Sequence, residues 1–289
     1  MTILLALASS LLWGVADFLG GKTSRGRLTV SVVLISQLAG LVAILFVAFA
    51  AGSFDSSTGY VPWAVGAGLF GASAVMLFYQ ALAVGTMGVV APIAALGVII
   101  PVMIGMLGGA MPSVLCLAGI ALAIAGVVVA ARPADSGART DRHAQSIVLA
   151  FGAAIGFGLL QYAISGGAAY STVMTLMVMR CTSVPLLAVI AAFALNSRRS
   201  QPSEPTAQSF STSLIVLIVV IGIFDVSANL LFGLATVSGA LPVVAVLGSL
   251  YPATTVLLAR VIDHERMSGL QDGGVFAAIA GVAMIAAGS

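Results

Sequence analysis

The chain has 289 residues, of which 61% are hydrophobic and only 7% are charged, and its formal net charge is +2. A soluble domain carries roughly 25% charged residues, so this composition excludes an ordinary water-soluble protein. It predicts an all-α integral membrane protein, because about 20 apolar residues in a helix cross the roughly 30 Å hydrocarbon core of a bilayer.

Apolar segments separated by polar residues, glycine or proline predict ten transmembrane helices. In chain order they are 2–20, 28–51, 61–84, 87–109, 112–131, 145–166, 170–195, 212–236, 239–262 and 268–287. The chain then divides into a five-helix unit over residues 1–131, a cytoplasmic linker over 132–144 and a second five-helix unit over 145–289.

The basic residues lie in or beside the odd-numbered connections between these helices. Of the 11 lysines and arginines, all except Arg180 do so: Lys22, Arg25, Arg27, Arg132, Arg139, Arg142, Arg198, Arg199, Arg260 and Arg266. Positive residues in short loops stay on the cytoplasmic side of a membrane. The distribution therefore predicts a multi-pass protein of the cytoplasmic (plasma) membrane with both termini outside.

The two halves repeat each other in sequence. The residues Ala-Ile-Ala-Gly-Val at 123–127 recur at 278–282, with Gly119 matching Gly274 at the same offset. The fourth and ninth helices match through Gly88 and Gly239, Leu96 and Leu247, Gly97 and Gly248, and Pro101 and Pro252. Segment 13–18 parallels 157–162, so that Trp13 corresponds to Phe157. An odd number of helices per unit makes the second unit enter from the opposite membrane face, and such inverted repeats are typical of transporters.

Prolines predict interruptions in the fourth and ninth helices. Pro92 and Pro101 lie in one and Pro242 and Pro252 in the other. Interrupted helices at corresponding places in two halves point to a central binding site, because the freed backbone groups can face a water-filled cavity. Pro92 and Pro242 have an alternative interpretation as first-turn prolines, which helices tolerate. Pro101 and Pro252 are expected to lie too far from their helix starts for that.

Three ionisable residues, Asp17, Arg180 and Asp225, are expected within the membrane, where charge is costly. Arg180 and Asp225 are expected at one level near the middle of the membrane, and Asn229 shares the helical face of Asp225. In one interpretation Arg180 anchors an anionic group such as a carboxylate, with Asp225 as its counter-ion or as a proton-coupling acid. In the other, the two form a permanent ion pair. Asp17 is expected to reach cytoplasmic water beside Lys22 by snorkelling, with a direct transport role as the alternative.

Several neutral side chains are candidates for lining the transport pathway, although each could equally bridge two helices. They are Gln37, Tyr79, Gln80, Gln161 and Tyr162. Trp13 and Phe157 could stack on a substrate, form gates or simply pack in the core. His143 and His264 lack a second ligand at metal spacing, so no metal site and no other cofactor are expected.

Four features together resemble a known family. They are Trp13-Gly14, the segment 79–82, the segment 90–101 and the closing run of Glu265, Ser268, Gln271 and 274–281. They resemble ten-helix members of the drug/metabolite transporter superfamily, of the EamA type, over essentially the whole chain. The resemblance implies secondary export or exchange of small metabolites without ATP. The chain departs from the family in lacking a first-half acid equivalent to Glu265 and in its predicted outside termini.

The sequence therefore predicts a secondary-active transporter, an exporter or exchanger of a small metabolite such as an amino acid or related compound, working by alternating access. Its partners would be the substrate, the lipid bilayer and, as a candidate coupling ion, a proton; no nucleic acid is expected. The alternatives are a sugar or drug/cation permease of the same superfamily, or a channel or structural membrane protein. An enzyme is not expected, because no nucleophile and base, acid pair or metal cluster gathers at membrane depth.

Overall fold

The computed structural model describes residues 1–55, 57–107, 113–130, 140–199, 210–265 and 267–288. Over these residues the chain is helical and contains no β-strand, which confirms the predicted all-α class. Arg132, Arg139 and Arg266, and the predicted helix boundaries at 109, 112 and 131, lie outside the described residues.

The helices are named α1 to α11 in chain order. They are α1 (Thr2–Ser24), α2 (Thr29–Ala50), α3 (Val61–Val84), α4 (Met87–Ala95), α5 (Ile99–Leu107), α6 (Val114–Ala130), α7 (Thr140–Arg199), α8 (Thr212–Ser238), α9 (Leu241–Gly248), α10 (Tyr251–Ile262) and α11 (Gly269–Gly288). Short 3-10 helices cover Ser53–Asp55, Thr58–Tyr60 and Leu96–Val98. Because α7 begins at Thr140, the end of the predicted linker is helical, and residues 131–139 lie outside the described part.

Within the described residues, seven helical segments are long and apolar enough to cross a membrane, and Val114–Ala130 and Gly269–Ile285 are shorter apolar helices. The longest segment, Arg142–Asn196, has 55 residues and would extend about 80 Å as one helix, far more than a bilayer core requires. Large apolar side chains such as Phe46, Phe193 and Phe276 point outward, each more than 70% exposed. Both features are compatible with a membrane-embedded protein.

Helix α7 consists of two arms that meet at Ser171. This residue has an extended backbone with φ −164° and ψ 112°, whereas the residues before and after it are helical. The break lies one residue beyond the predicted start of the seventh helix at 170, so the first arm is longer than the sequence predicted. The side chain of Ser171 accepts a hydrogen bond from the backbone N–H of Met174 at 3.3 Å, as a helix N-cap does.

The two interrupted helices break at corresponding places. The first changes from α4 to α5 through the 3-10 turn Leu96–Val98, and the second changes from α9 to α10 at 249–250. Pro92 lies inside α4, whereas Pro242 lies in the first turn of α9. Pro252 lies in the first turn of α10, so the expectation that it sits deep in a helix is wrong. A proline in the first turn loses no helical hydrogen bond, because the N–H of that position has no partner within the helix. Pro101 is the third residue of α5 and so also lies in a first turn, which makes the same expectation wrong for it.

The helices pack closely through glycine. A Cβ built on Gly119 would lie 2.7 Å from the carbonyl oxygen of Gly281, and one on Gly126 would lie 2.6 Å from that of Gly274. The earlier glycine of α6 thus meets the later glycine of α11, and the two helices are antiparallel. Elsewhere α3 packs along α7, and α1 packs against α8 and α10. One hydrophobic core, which includes Phe18, Phe78 and Phe232, continues through both halves of the chain.

Candidate functional site

A central cavity lies where α1, α3, α7, α8 and α10 meet. Its lining residues are Trp13, Asp17, Val75, Phe157, Leu160, Gln161, Asp225 and Tyr251. About 410 Å³ of atom-free space lies within it, part of it open to the outside, and about 30 Å³ is wide enough to take the centre of a water molecule. In this conformation it therefore has room for one or two waters, but a metabolite would need it to widen.

A narrower polar pocket adjoins the cavity and shares Val75, Leu160 and Asp225 with it. Its polar lining consists of Gln37 from α2, Arg180 and Ser183 from the second arm of α7, and Asp225 and Asn229 from α8. Asp225 is thus the polar side chain that faces both spaces. It lies on the same helical face as Asn229, four residues later, as the sequence predicted.

Arg180 is held by two neighbours. Its Nη2 lies 2.5 Å from Oδ2 of Asp225, and its Nη1 donates a hydrogen bond to Oε1 of Gln37. Ser183 donates to the same Gln37 oxygen at 3.1 Å, and the Asn229 amide donates to Oδ1 of Asp225 at 3.2 Å. The side chain of Arg180 is 3% exposed and that of Asp225 is 17% exposed. An anionic ligand would have to displace one of these partners before it could engage the guanidinium end of Arg180.

Asp17 lies inside the protein, so the expectation that it snorkels to water is wrong. It is 8% exposed, lines the central cavity and has no hydrogen-bond or ion-pair partner among the described residues. The reason is helical geometry, because Asp17 follows Trp13 by one turn and shares its inward face. Lys22 does not accompany it and instead pairs with Asp263 at 2.5 Å.

Several buried polar atoms around the two spaces have no hydrogen-bond partner in the described part of the chain. They are Oε1 of Gln161, Oδ1 of Asn229, Nε of Arg180 and the hydroxyl of Tyr251. The Gln161 amide donates to Oγ of Ser249 at 3.4 Å, which ties the first arm of α7 to the break between α9 and α10. Sequence reasoning missed Tyr251, Ser249 and Ser183. The position of Tyr251 directly before Pro252, at a helix start, was the available signal.

Three other candidate pathway residues, Tyr79, Gln80 and Tyr162, lie away from the cavity. The Tyr79 hydroxyl donates to the carbonyl oxygen of Ala16 at 3.3 Å, which joins α3 to α1. Tyr162 packs edge-on against Trp63 with ring centroids 5.4 Å apart, and Gln80 is half-buried. None of these three residues is among those that line the cavity or the adjoining pocket. Trp13 does line the cavity while packing against Phe232 at 5.5 Å.

A second polar cluster joins the two halves at the side of the odd-numbered connections. Asp263, between α10 and α11, pairs with Lys22 at 2.5 Å and with Arg25 at 2.9 Å. The neighbouring Glu265 accepts hydrogen bonds from the backbone N–H groups of Met87 at 2.8 Å and Gly88 at 3.1 Å. These are the first two residues of α4, so the carboxylate meets the positive end of a helix.

The Glu265 contact has a pH signature that can be measured. Burial raises its pKa above the ordinary 4.5, and repulsion from Asp263 adds to this, although the two backbone N–H groups and Arg25 pull it down. A raised pKa means that the folded state holds the proton more tightly than the unfolded state. We therefore expect the melting temperature of the wild type, relative to Glu265→Gln, to fall as pH rises from about 4.5 through the raised pKa.

The matched control for this measurement is Asp272→Asn, which changes an exposed carboxylate paired with Arg260. The difference in melting temperature between Asp272→Asn and the wild type should change little over the same pH range, because exposed ion pairs contribute little to stability. A wild-type advantage over Glu265→Gln that grows with pH in this window would contradict the interpretation.

Among the described residues, no group of three or more His, Cys, Asp or Glu side chains lies close enough to hold a metal ion. No family model matches the chain, and no curated protein is similar to it in sequence. Several solved structures are similar to this chain, and one of them, described only as the crystal structure of a protein, has a TM-score of 0.70 at 18% identity, covering 98% of this chain and 95% of that chain. At this identity the likeness concerns the fold alone.

Proposed function

We propose that the protein is a secondary-active transporter that moves a small metabolite across the plasma membrane by alternating access. The observation that carries the proposal is the central cavity, which Asp17, Gln161 and Asp225 line and which lies between the two halves of the chain and beside interrupted helices. Sites of this kind, at the middle of the membrane between repeats, are where secondary transporters hold their substrates.

The proposal includes ten membrane crossings. The two arms of α7 count as two, the pair α4 and α5 counts as one, and so does the pair α9 and α10. With α1, α2, α3, α6, α8 and α11 this makes ten, with both termini on one side. The basic residues of the odd-numbered connections support an orientation with that side outside.

The glycine contacts of α6 and α11 support an inverted relation between the halves. In the sequence repeat Gly119 corresponds to Gly274 and Gly126 to Gly281, whereas in space Gly119 meets Gly281 and Gly126 meets Gly274. Exchanging the halves turns each contact into the other, as a two-fold axis does. Because the helices are antiparallel, such an axis runs across them, in the plane of the membrane.

A second pair of contacts supports the same axis. A Cβ on Gly14 would lie 2.7 Å from the Tyr251 carbonyl oxygen, and one on Gly158 would lie 2.8 Å from Cβ of Ile100. Gly14 corresponds to Gly158 in the repeat, and Ile100 to Tyr251, each directly before its matching proline. The first helix of each half therefore packs on the interrupted helix of the other half. Rocking at these contacts would open the cavity to either side.

The alternatives to a metabolite carrier predict different features. A channel would show a continuous wide path with rings of carbonyls or charges, and the narrow cavity favours a carrier instead. The resemblance to EamA-type transporters favours a metabolite such as an amino acid, with a sugar or a drug-like cation as the other cargo classes. A proton remains the candidate coupling ion.

Counterflow tests the proposal directly. Purified protein in liposomes that are loaded with one unlabelled metabolite should accelerate the uptake of the same labelled metabolite, and the rate should saturate with concentration. A broad panel of amino acids, amines, sugars and organic acids would be screened, with protein-free liposomes as the control. Single-channel currents without counterflow of any metabolite would contradict the carrier and support a channel.

A further inference from the structure

We infer that the central cavity binds a small compound through its protonated amine, with Asp17 as the counter-ion. This inference rests on the proposed transport function, since it names the substrate class of the same site. It comes from three features of the cavity: its uncompensated charge, its hydrogen-bond acceptors and its aromatic walls.

The charges of the site do not balance. Arg180 engages Asp225, while Asp17, 8% exposed, faces the same cavity with no cation of its own among the described residues. A carboxylate away from water needs a cation or a proton as partner. An ammonium group in the cavity would supply that partner, whereas an anion would meet both Asp17 and Asp225 before reaching Arg180.

The polar atoms that lack partners are mostly acceptors. Gln161 is 5% exposed and lines the cavity, and its Oε1 accepts no hydrogen bond from the described residues because its amide is turned to Ser249. The Tyr251 hydroxyl also lacks a partner and can accept. An ammonium group has three donors and no acceptor, which matches such a lining better than a carboxylate or a sugar hydroxyl does.

The two halves contribute equivalent aromatic rings and oxygen acceptors to the cavity. Trp13 and Asp17 of α1 correspond in the repeat to Phe157 and Gln161 of α7, and all four line the cavity. Each helix therefore offers an aromatic ring and, one turn later, an oxygen acceptor. Aromatic faces attract ammonium groups, most strongly those of tryptophan. Of these four residues Asp17 alone carries charge, and unlike Asp225 it has no cation of its own among the described residues, so it decides between an amine and a neutral compound of the same shape.

Trp13 can report the binding. The chain has 2 tryptophans, so the variant Trp63→Phe leaves Trp13 in the cavity as the single tryptophan, whose emission can be excited selectively over that of the tyrosines. The probes are isobutylamine, isobutanol and isobutyrate, which share one skeleton and differ in the terminal group. At pH 7 we expect isobutylamine to change the Trp13 fluorescence saturably, with an apparent Kd at least about tenfold below those of the other two.

Variants locate the effect at Asp17. In the same background Asp17→Asn should weaken isobutylamine binding by about tenfold or more, while Asp17→Glu should retain most of it. The control Asp272→Asn should bind isobutylamine as the parent does. Equal binding of the three probes, or undiminished binding by a folded Asp17→Asn, would overturn the inference. So would a proton-only site, in which pH but no amine changes the fluorescence in an Asp17-dependent way.

The binding and counterflow measurements distinguish a failure of the amine site from a failure of the proposed transport function. Isobutylamine binding without counterflow of any metabolite would leave the amine site and remove the transporter. Counterflow of a neutral or anionic metabolite, with no isobutylamine binding, would leave the transporter and remove the amine site.

Discussion

Replacing Arg180 by alanine is expected to lower the free energy of unfolding by about 3–5 kcal/mol, because it leaves a buried carboxylate without its cation. In the wild type Asp225 lies 2.5 Å from the guanidinium, and Gln37 and Asn229 complete the cluster. The pair needs little correction for solvent, since neither side chain is more than 17% exposed. Unfolding of the purified protein in detergent, followed by circular dichroism, measures the change.

The double variant Arg180→Gln with Asp225→Asn is the matched control. It removes both charges and leaves a neutral hydrogen-bonding amide at each position, so most of the lost stability should return. If Arg180→Ala unfolds like the wild type but no longer exchanges substrate, the pair acts in transport and not in holding α7 against α8. That result would favour the anchor interpretation of Arg180 over the permanent ion pair.

Gly274→Ala is expected to destabilise the protein by about 1–3 kcal/mol, or to prevent folding, because the added methyl group meets backbone. Its Cβ would lie 2.4 Å from the nitrogen of Ala130 and 2.7 Å from the carbonyl oxygen of Gly126. Backbone atoms of a packed helix cannot step aside as the end of a side chain can. The melting temperature of the purified protein measures the loss, and a failure to express as folded protein counts in the same direction.

The neighbouring residue supplies the control for this test. A Cβ on Gly273 would meet nothing within 4 Å, so Gly273→Ala adds the same methyl group to the same helix in open space. It should be neutral or stabilising by up to about 1 kcal/mol, since alanine favours a helix over glycine. Equal effects of the two substitutions would show that α6 and α11 do not pack through these glycines in the membrane.

The residues before and at the start of α11 make one contact that the sequence could have predicted and one that it could not. Ser268 and Gln271 were noted for a family resemblance, and they form a capping box at the start of α11. The Ser268 N–H donates to Oε1 of Gln271 at 3.0 Å, and the Gln271 N–H donates to Oγ of Ser268 at 3.3 Å. This local contact was readable from the spacing alone. The neighbouring Glu265 was not, because its partners at Met87 and Gly88 lie far away in the chain.

The amino-acid sequence by itself determined the helical class and the positions of most helices, because apolar length and proline act locally. Counting residues along each helix also predicted that Arg180 and Asp225 lie at one level, and their side chains are in contact in the structure. The sequence did not bring in Tyr251, Ser249 or Ser183, and it misplaced Asp17, Pro101 and Pro252. Which face of a helix turns inward, where a helix breaks and which partner it meets depend on packing between segments far apart in the chain. Which polar side chains face the cavity was therefore decided only by the tertiary structure.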